Sequence, residues 1–214
     1  PKVYKQWQEG TSVGIFQFES QGMTYFMKEL KPDCLEDIIA GVSLYRPGPM
    51  DQIPRYIANK KDPEHAVYTH PSLKPILNVT YGCMVYQEQV MQIVRDLAGY
   101  SLGRADLVRR AMGKKKLDVM AKEREIFIHG QEDESGNIIV NGCVRNGIDE
   151  KSANTIFDEM AEFAKYAFNK SHAAAYAVLS YQTAYLKTYY PSEFMAAMLN
   201  SFLGNLDKIP SYID

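Results

Sequence analysis

The stretch SANTIFDEMAEFAKYAFNKSHAAAYAVLSYQTAYLKTY, residues 152–189, indicates the fold class most clearly. Ile156, Met160 and Phe163 recur at the three- and four-residue spacing of one helix face. Ser152 precedes them and belongs to the residue types that cap helices through a side-chain oxygen. The sequence therefore predicts a capped, amphipathic helix at the start of this stretch.

A second, longer helix follows in the same stretch. Residues 169–170 interrupt the helical pattern, Ser171 can cap again, and an Ala/Tyr-rich run continues to about Tyr189. Pro191 breaks this helix because it lacks a backbone N–H, and a final helix ends at Gly204. The last third of the chain is thus predicted to be helical.

The remaining segments, read outward from there, are mostly helical as well. Caps, stops and apolar spacing predict helices over residues 20–28, 34–44, 87–98, 102–112 and 117–129. Ser20 and Ser101 are the predicted caps of the first and fourth of these helices, and Gly99 is the predicted stop of the third. Residues 51–82 look loop-rich because four prolines punctuate them.

Two segments favour β-structure instead. Alternating apolar residues over 79–85 predict a short strand, and residues 131–147 predict a hairpin with a polar turn and a strand at 137–140. The predicted fold class is mostly α, with a small β-hairpin insert.

Composition indicates the class of protein. The chain has 214 residues, of which 46% are hydrophobic and 23% charged, as in ordinary folded domains. No apolar run is long enough for a membrane helix, and the first residues lack the apolar core of a secretory signal. The chain begins without Met, as a piece of a longer chain would, and its three scattered cysteines fit a reducing compartment. We therefore expect a cytoplasmic protein without a membrane partner.

Positive charge is concentrated in one segment. Residues 104–124 carry eight Lys/Arg and three Asp/Glu, whereas the net charge of the whole chain is −2. A cationic segment on an acidic chain suggests a focused anion site, and phosphate is the commonest anion to need one.

Three cations of this segment are candidates for binding phosphate. Arg109 and Arg110 lie near the end of a capped helix, and Lys114 follows directly after it. Guanidinium groups offer forked donors that match phosphate oxygens, and Lys supplies a point charge. The alternative is a solvated helix end, where the dipole favours cations and Asp106 pairs with Arg110. Charge alone leaves both interpretations open.

A second group of polar residues lies at the predicted start of a helix. It consists of Asn169, Lys170, Ser171 and His172. The N–H groups at a helix N-terminus attract anions. The alternative is that Ser171 only caps the helix and His172 only satisfies a neighbouring carbonyl.

Several catalytic patterns are missing from the sequence. It has no Asp-x-Asp on an apolar strand, no GxxxxGK[ST] loop, no HExxH and no GxSxG. Its four histidines are too scattered to predict a metal site. Cations without evident catalytic carboxylates predict a chain that holds a phosphate ester without cleaving it.

Six motifs in a fixed order carry a resemblance to a known family. They are VGIFQFES (13–20), YRPGP (45–49), VYQEQVM (85–91), GYSLG (99–103), RRAMGKK (109–115) and FNKSHA (168–173). Together they resemble the fingers region of the bacterial C-family replicative DNA polymerases, the polymerase III alpha subunits. The resemblance covers about residues 1–203.

The resemblance implies a division of the chain. It implies a fingers domain at 1–203, made of a loop-rich helical part (1–82), basic nucleotide-facing helices (83–130), a hairpin insert (131–147) and C-terminal helices (148–203). Residues 204–214 would be a linker toward the next domain of the parent chain.

It also implies roles for the candidate residues. Arg109, Arg110 and Lys114 would face the triphosphate of the incoming deoxynucleotide, and residues 169–172 would border its sugar and phosphates. The weaker candidates for nucleotide contacts are Arg46, Arg104 and Lys115. The function implied is binding of that nucleotide and closure on the nascent base pair during DNA synthesis.

Other parts of the reaction would lie outside the chain. The Mg²⁺ ions would be bound by carboxylates of a palm domain that this sequence lacks, so the isolated chain is expected to bind no metal and to be inactive. The implied partners are primer-template DNA, the other domains of the parent polymerase and, through the parent, replicase subunits such as the sliding clamp. The alternative function is an autonomous helical nucleic-acid-binding or protein-interaction module without a catalytic role.

Overall fold

The computed structural model describes residues 1–114, 117–204 and 209–213, and these are mostly helical. The α-helices are α1 (Lys5–Gln8), α2 (Gln21–Leu30), α3 (Leu35–Leu44), α4 (Ile53–Lys61), α5 (Lys74–Leu77), α6 (Gln87–Ala98), α7 (Leu102–Gly113), α8 (Leu117–His129), α9 (Glu150–Phe163), α10 (Lys170–Tyr189), α11 (Pro191–Ser201) and α12 (Pro210–Ile213). The strands are β1 (Gln131–Glu132) and β2 (Ile138–Val140), and the fold class predicted from the sequence is confirmed. Within the described residues, no helix combines the length and the apolarity needed to cross a membrane.

The chain divides into two compact units. Arg46–Lys170 forms one of them, the central unit, and the segments before and after it form the terminal unit. The central unit contains α4 to α9 and the hairpin, and therefore all the described residues of the basic segment.

The core of the central unit places α6 beside α7. Val90, Ile93 and Val94 of α6 are at most 1% exposed and belong to one apolar cluster. Phe127 of α8 and Phe157 of α9 pack in the same cluster, with ring centroids 5.7 Å apart. Burial of each such side chain stabilises the folded unit by about 1.5–3 kcal/mol. Helix α7 packs on this cluster.

The terminal unit has a core of its own. Trp7 and Phe18 are fully buried and meet edge to face, with ring centroids 5.6 Å apart. Ile38 and Leu44 of α3 are buried with them in this unit.

Two predicted caps and one predicted stop are confirmed. The Ser20 hydroxyl accepts a hydrogen bond from the Met23 N–H at 3.3 Å, and the Ser101 hydroxyl accepts one from the Arg104 N–H at 3.3 Å. Gly99 ends α6 with φ +77°, a conformation that glycine adopts without steric cost.

Two other predicted caps are wrong. Asp149, not Ser152, caps α9, because its Oδ1 accepts a hydrogen bond from the Ser152 N–H at 2.9 Å. Ser171 lies inside α10, which begins at Lys170. In both cases an acceptor elsewhere satisfies the end of the helix, so the serine is not needed there.

The loop-rich interpretation of residues 51–82 is wrong over α4. The second residue of this helix is Pro54, a position where a missing N–H costs no helical hydrogen bond. Prolines that look like breakers in the sequence therefore start helices here. At the other end of the chain, α11 stops at Ser201 rather than at Gly204.

The strand predicted over residues 79–85 is absent from this described segment. Asn78–Thr80 forms a 3₁₀ turn, after which Tyr81 and Gly82 have φ of +51° and +80°. Two consecutive left-handed residues cannot continue an extended strand.

The predicted hairpin is confirmed. Strands β1 and β2 are antiparallel, with Gln131 opposite Val140. The Asp133 Oδ1 closes the turn by accepting hydrogen bonds from the N–H groups of Ser135 at 2.9 Å and Asn137 at 2.8 Å. The tip of the hairpin is exposed.

Candidate functional site

The C-terminal end of α7 carries an excess of positive charge. Arg109 Nη2 lies 2.6 Å from Asp106 Oδ1, and Arg110 Nε lies 2.7 Å from Asp106 Oδ2. The hydrogen bonds from Arg109, with the charge of Arg110, hold the pKa of the Asp106 carboxyl below its usual range. Two guanidinium groups thus share one carboxylate, and the exposed Lys114 follows directly.

The two arginines differ in accessibility. The Arg109 side chain is 20% exposed and also donates from Nη1 to Gln87 Oε1 at 3.1 Å, whereas the Arg110 side chain is 62% exposed. Arg110 and Lys114 are four residues apart, so they share one side of the helix end. The site therefore combines the guanidinium of Arg109, which its hydrogen bonds orient, with the solvent-exposed cations of Arg110 and Lys114.

The loop before α10 packs on the start of α6. Tyr86 and Phe168 form a parallel β-bridge, and the Gln87 N–H donates to the Phe168 carbonyl at 2.8 Å. Lys170 Nζ lies 5.1 Å from the centre of the Tyr86 ring. These contacts place residues 169–170 beside the first turn of α6.

Glu88 occupies the N-terminal end of α10. Its carboxylate accepts a hydrogen bond from Asn169 Nδ2 at 3.0 Å and two from the Lys170 N–H at 3.1 and 3.2 Å. Negative charge is favoured at a helix N-terminus, and here a side chain of the protein supplies it. Glu88 thus supplies negative charge at the start of α10.

Gln87 connects Arg109 with the segment that leads to Asn169. Its Oε1 accepts from Arg109, and its Nε2 donates to the Ala167 carbonyl at 3.0 Å. Neither Gln87 nor Glu88 was singled out in the sequence. The VYQEQVM motif carries both residues, and it was used only for its resemblance to a family.

The other two members of the second group lie in the terminal unit. Ser171 and His172 are both exposed. The His172 ring lies against Tyr176 one turn later, with ring centroids 4.4 Å apart, and Tyr176 packs on Phe16 at 5.3 Å. The exposed imidazole thus rests on one face against a ring that is itself packed on Phe16.

Arg46 and Arg104, two weaker candidates, are engaged within the central unit. The Arg46 guanidinium donates to the Tyr166 carbonyl and lies 4.3 Å from the centre of the Phe168 ring, and burial lowers its pKa. Arg46 thus braces the loop that leads to residues 169–170.

Arg104 belongs to a polar cluster at the opposite end of α7. It donates from Nη1 to Gln131 Oε1 at 2.6 Å and from Nη2 to Glu123 Oε1 at 3.1 Å. Tyr100 donates to Glu123 Oε2 at 2.9 Å, and burial raises the pKa of this tyrosine. The third weaker candidate, Lys115, lies outside the described residues.

A pocket of the central unit has none of the α7 cations in its wall. It has a volume of about 420 Å³, and Tyr68, Leu73 and Phe163 form part of its wall. Three of the four acidic residues in its wall have side-chain partners: Glu159 accepts from Thr69, Asp158 pairs with Arg124 and Glu162 pairs with Lys165. Asp51 and Arg55 also line the pocket, so its wall carries both signs of charge.

A possible cluster of metal-ligating groups lies at the start of α3. Potential ligand atoms of Asp33, Cys34 and Asp37 lie within 4.8 Å of one another. Asp37 Oδ2 accepts from the Asp33 N–H at 3.0 Å and from Cys34 Sγ at 3.4 Å. Asp37, in the first turn of α3, thus binds the two residues that directly precede the helix.

Comparison with known proteins identifies close relatives of this chain. Residues 1–135 match the bacterial DNA polymerase III alpha subunit finger domain. The DNA polymerase III subunit alpha of Xylella fastidiosa (strain Temecula1) is 53% identical over 205 residues, which cover 96% of this chain and 16% of the relative. The subunit of Thermus aquaticus is 51% identical over 218 residues, covering 100% of this chain and 17% of the relative.

A more distant relative matches equally far along the chain. The DNA polymerase III subunit alpha of Borreliella burgdorferi is 47% identical over 213 residues, covering 100% of this chain and 18% of the relative. The chain thus spans less than a fifth of the length of these relatives. Because the domain match covers more than half of the chain and the identities extend along it, this chain belongs to the finger domains of bacterial DNA polymerase III alpha subunits.

Proposed function

We propose that this chain binds the triphosphate of an incoming deoxynucleotide and closes on the nascent base pair during template-directed DNA synthesis. The observation that carries the proposal is the charge excess at the end of α7, where Arg109 and Arg110 share the Asp106 carboxylate. Membership of a polymerase family supports this function over that of an autonomous helical module.

The geometry suits the chemistry of nucleotidyl transfer. Negative charge accumulates on the triphosphate as the bond to the leaving pyrophosphate breaks, and cations held in place beforehand offset it. Arg110 and Lys114 can reach such a ligand from solvent, whereas Arg109 presents a guanidinium whose orientation is already set. Closure of such a domain would test the fit of the base pair before the reaction.

The residues beside these cations do not fit a Mg²⁺ site. Mg²⁺ prefers carboxylate oxygens in regular octahedral geometry. The nearby carboxylates are engaged, Asp106 with two guanidinium groups and Glu88 with the groups at the start of α10. We therefore assign the metals to a palm domain outside this chain.

It follows that the isolated chain is expected not to synthesise DNA. The check is primer extension by the purified chain with Mg²⁺ and all four deoxynucleotides, beside a mock preparation. Extension above the mock would contradict the assignment of the metal site.

The proposed partners follow from the same function. The chain would act with primer-template DNA and the other domains of a polymerase, in the cytoplasm. Replicase subunits such as the sliding clamp would be reached through those other domains.

The central test replaces the cations in a full-length alpha subunit that contains this chain. Arg109→Ala or Arg110→Ala should each lower kcat/KM for the incoming nucleotide about 10²-fold, the cost of one lost transition-state donor. Primer-template affinity should change little.

The matched control is Lys122→Ala, which removes an exposed cation of the same basic segment on α8. Its nucleotide kinetics should equal those of the wild type. If Arg109→Ala and Arg110→Ala instead abolished DNA binding and left nucleotide kinetics intact, the helix end would be a DNA-backbone contact and the proposal would be wrong.

A further inference from the structure

Gln87 is held rigidly where α6 begins. Its N–H donates to the Phe168 carbonyl at 2.8 Å. Just beyond it, the buried Gln89 accepts hydrogen bonds at Oε1 from the N–H groups of Val85 at 2.8 Å and Tyr86 at 3.0 Å. The backbone that carries Gln87 is therefore fixed on both sides.

The oxygen and the nitrogen of the Gln87 side-chain amide each form a hydrogen bond. Oε1 accepts from Arg109 Nη1 at 3.1 Å, and Nε2 donates to the Ala167 carbonyl at 3.0 Å. A guanidinium only donates and a carbonyl only accepts, so the orientation of the amide is determined by its partners. A carboxylate could not donate to Ala167, and its charge would offset that of Arg109.

Arg109 keeps donors for a ligand while held in this way. A guanidinium has five N–H donors. Nε and Nη2 donate to Asp106 Oδ1 at 3.2 and 2.6 Å, and Nη1 donates to Gln87. Among the described contacts, these leave two N–H groups for phosphate oxygens. Because the Gln87 amide is neutral, it orients the cation without adding a counter-charge.

We propose that Gln87 is a positioning residue of the polymerase reaction, which fixes the Arg109 guanidinium relative to the segment that leads to Asn169 and Lys170. This inference rests on the proposed function of Arg109. In this role Gln87 acts through Arg109, by holding its guanidinium in the orientation that the transition state needs.

The test is a double-mutant cycle in a full-length alpha subunit that contains this chain, with Gln87→Leu, Arg109→Ala and the double variant. Gln87→Leu should lower kcat/KM for the incoming nucleotide about tenfold, mainly through kcat, because the misoriented guanidinium loses interactions with the transition state. In the Arg109→Ala background, Gln87→Leu should change kcat/KM by less than about twofold, since the group that it positions is gone.

Two further variants complete the design. Gln92→Leu makes the same chemical change at an exposed position of α6 and should leave the kinetics unchanged. Gln87→Asn keeps the amide but is one methylene too short to reach both partners, so it should lower kcat as Gln87→Leu does. It replaces the leucine variant if that protein does not fold.

The outcomes separate this inference from the function on which it rests. If Arg109→Ala leaves kcat/KM unchanged, the proposed function of Arg109 is wrong and the inference falls with it. If Arg109→Ala lowers kcat/KM but Gln87→Leu does not, only the inference is overturned. It is also overturned if Gln87→Leu lowers kcat/KM by the same factor in both backgrounds, as a merely structural residue would.

Discussion

The two ends of helix α7 carry the same residue type in opposite situations. At the first turn, Arg104 meets the Glu123 carboxylate and the Gln131 amide, and its side chain is 23% exposed. At the last turn, Arg109 and Arg110 divide one carboxylate between them. The first end is electrically balanced and the last end is not.

This difference separates an arginine whose charge is matched by its partners from arginines that, in the proposed function, keep charge for a ligand. A cation near a helix N-terminus opposes the helix dipole, so Arg104 depends on its partners, whereas the dipole favours cations at the C-terminus. A count of charged residues over 104–124 does not distinguish the two ends of α7. The number of carboxylates that pair with each cation does distinguish them.

The largest effect on stability is expected at the first turn of α7, where Arg104 is matched by Glu123. Arg104→Ala leaves Gln131 without its donor and Glu123 with only the Tyr100 hydroxyl, and we expect a loss of about 2 kcal/mol in the free energy of unfolding. The folded variant should keep kcat/KM for nucleotide within about twofold of the wild type, because its partners are structural. Unfolding by urea and single-nucleotide kinetics measure the two quantities.

Lys122→Ala is the control for this prediction as well, since it removes an exposed cation from the neighbouring helix. A stable Arg104→Ala protein with a hundredfold loss in kcat/KM would show that both ends of α7 bind the ligand. The comparison would then be wrong.

The next effect concerns selectivity for the sugar of the nucleotide. If the imidazole of His172, held against Tyr176 at 4.4 Å, lies beside that sugar, it leaves no room for a 2′-hydroxyl. His172→Ala in the full-length enzyme should raise ribonucleotide use relative to deoxynucleotide about tenfold, the equivalent of ~1.4 kcal/mol. Arg110→Ala should instead lower kcat/KM for both sugars equally, because a phosphate contact does not sense the 2′-position.

The ratio of kcat/KM for the two sugars with the same base measures this effect. An unchanged ratio in a folded, active His172→Ala enzyme would show that the histidine only supports its neighbours on α10.

The smallest expected effect concerns how much the Asp106 carboxylate contributes to the free energy of unfolding. Asp106→Asn removes the shared carboxylate, and exposed ion pairs of this kind contribute only about 0.5 kcal/mol at pH 7. The pKa of Asp106 is depressed in the folded state, so its contribution is fully present above about pH 4, the ordinary value for the unfolded chain. This contribution is lost as the pH falls through the depressed pKa.

The difference in unfolding free energy between wild type and Asp106→Asn should therefore shrink as the pH is lowered from 5 toward 2. A difference that stays constant over this range would mean that the carboxylate acts through its shape rather than its charge.

Local signals in the sequence predicted much of the fold. Ser20 and Ser101 cap helices, Gly99 ends one, and the hairpin forms where its turn predicts it, because each of these depends on a few adjacent residues. One error arose where two local signals competed. Asp149 and Ser152 are both good caps, and only the structure shows that the aspartate reaches the exposed N–H.

The candidate site depends on contacts that no local pattern contains. The sequence predicted the pair of Asp106 and Arg110, which are four residues apart. It did not predict that Gln87 meets Arg109, 22 residues away, or that Glu88 meets Asn169, 81 residues away. Such pairs are decided by the packing of helices, so their partners became visible only in the folded chain.

The exposed hairpin tip offers a place for a spectroscopic label. Burial raises the pKa of the Cys83 thiol to about 11 and that of Cys143 to about 12, and it also raises that of the half-buried Cys34. Maleimides react with thiolates, so at neutral pH an exposed thiol introduced by Ser135→Cys should react well before the native thiols. A fluorophore could then be attached to the hairpin of the central unit without first removing any cysteine.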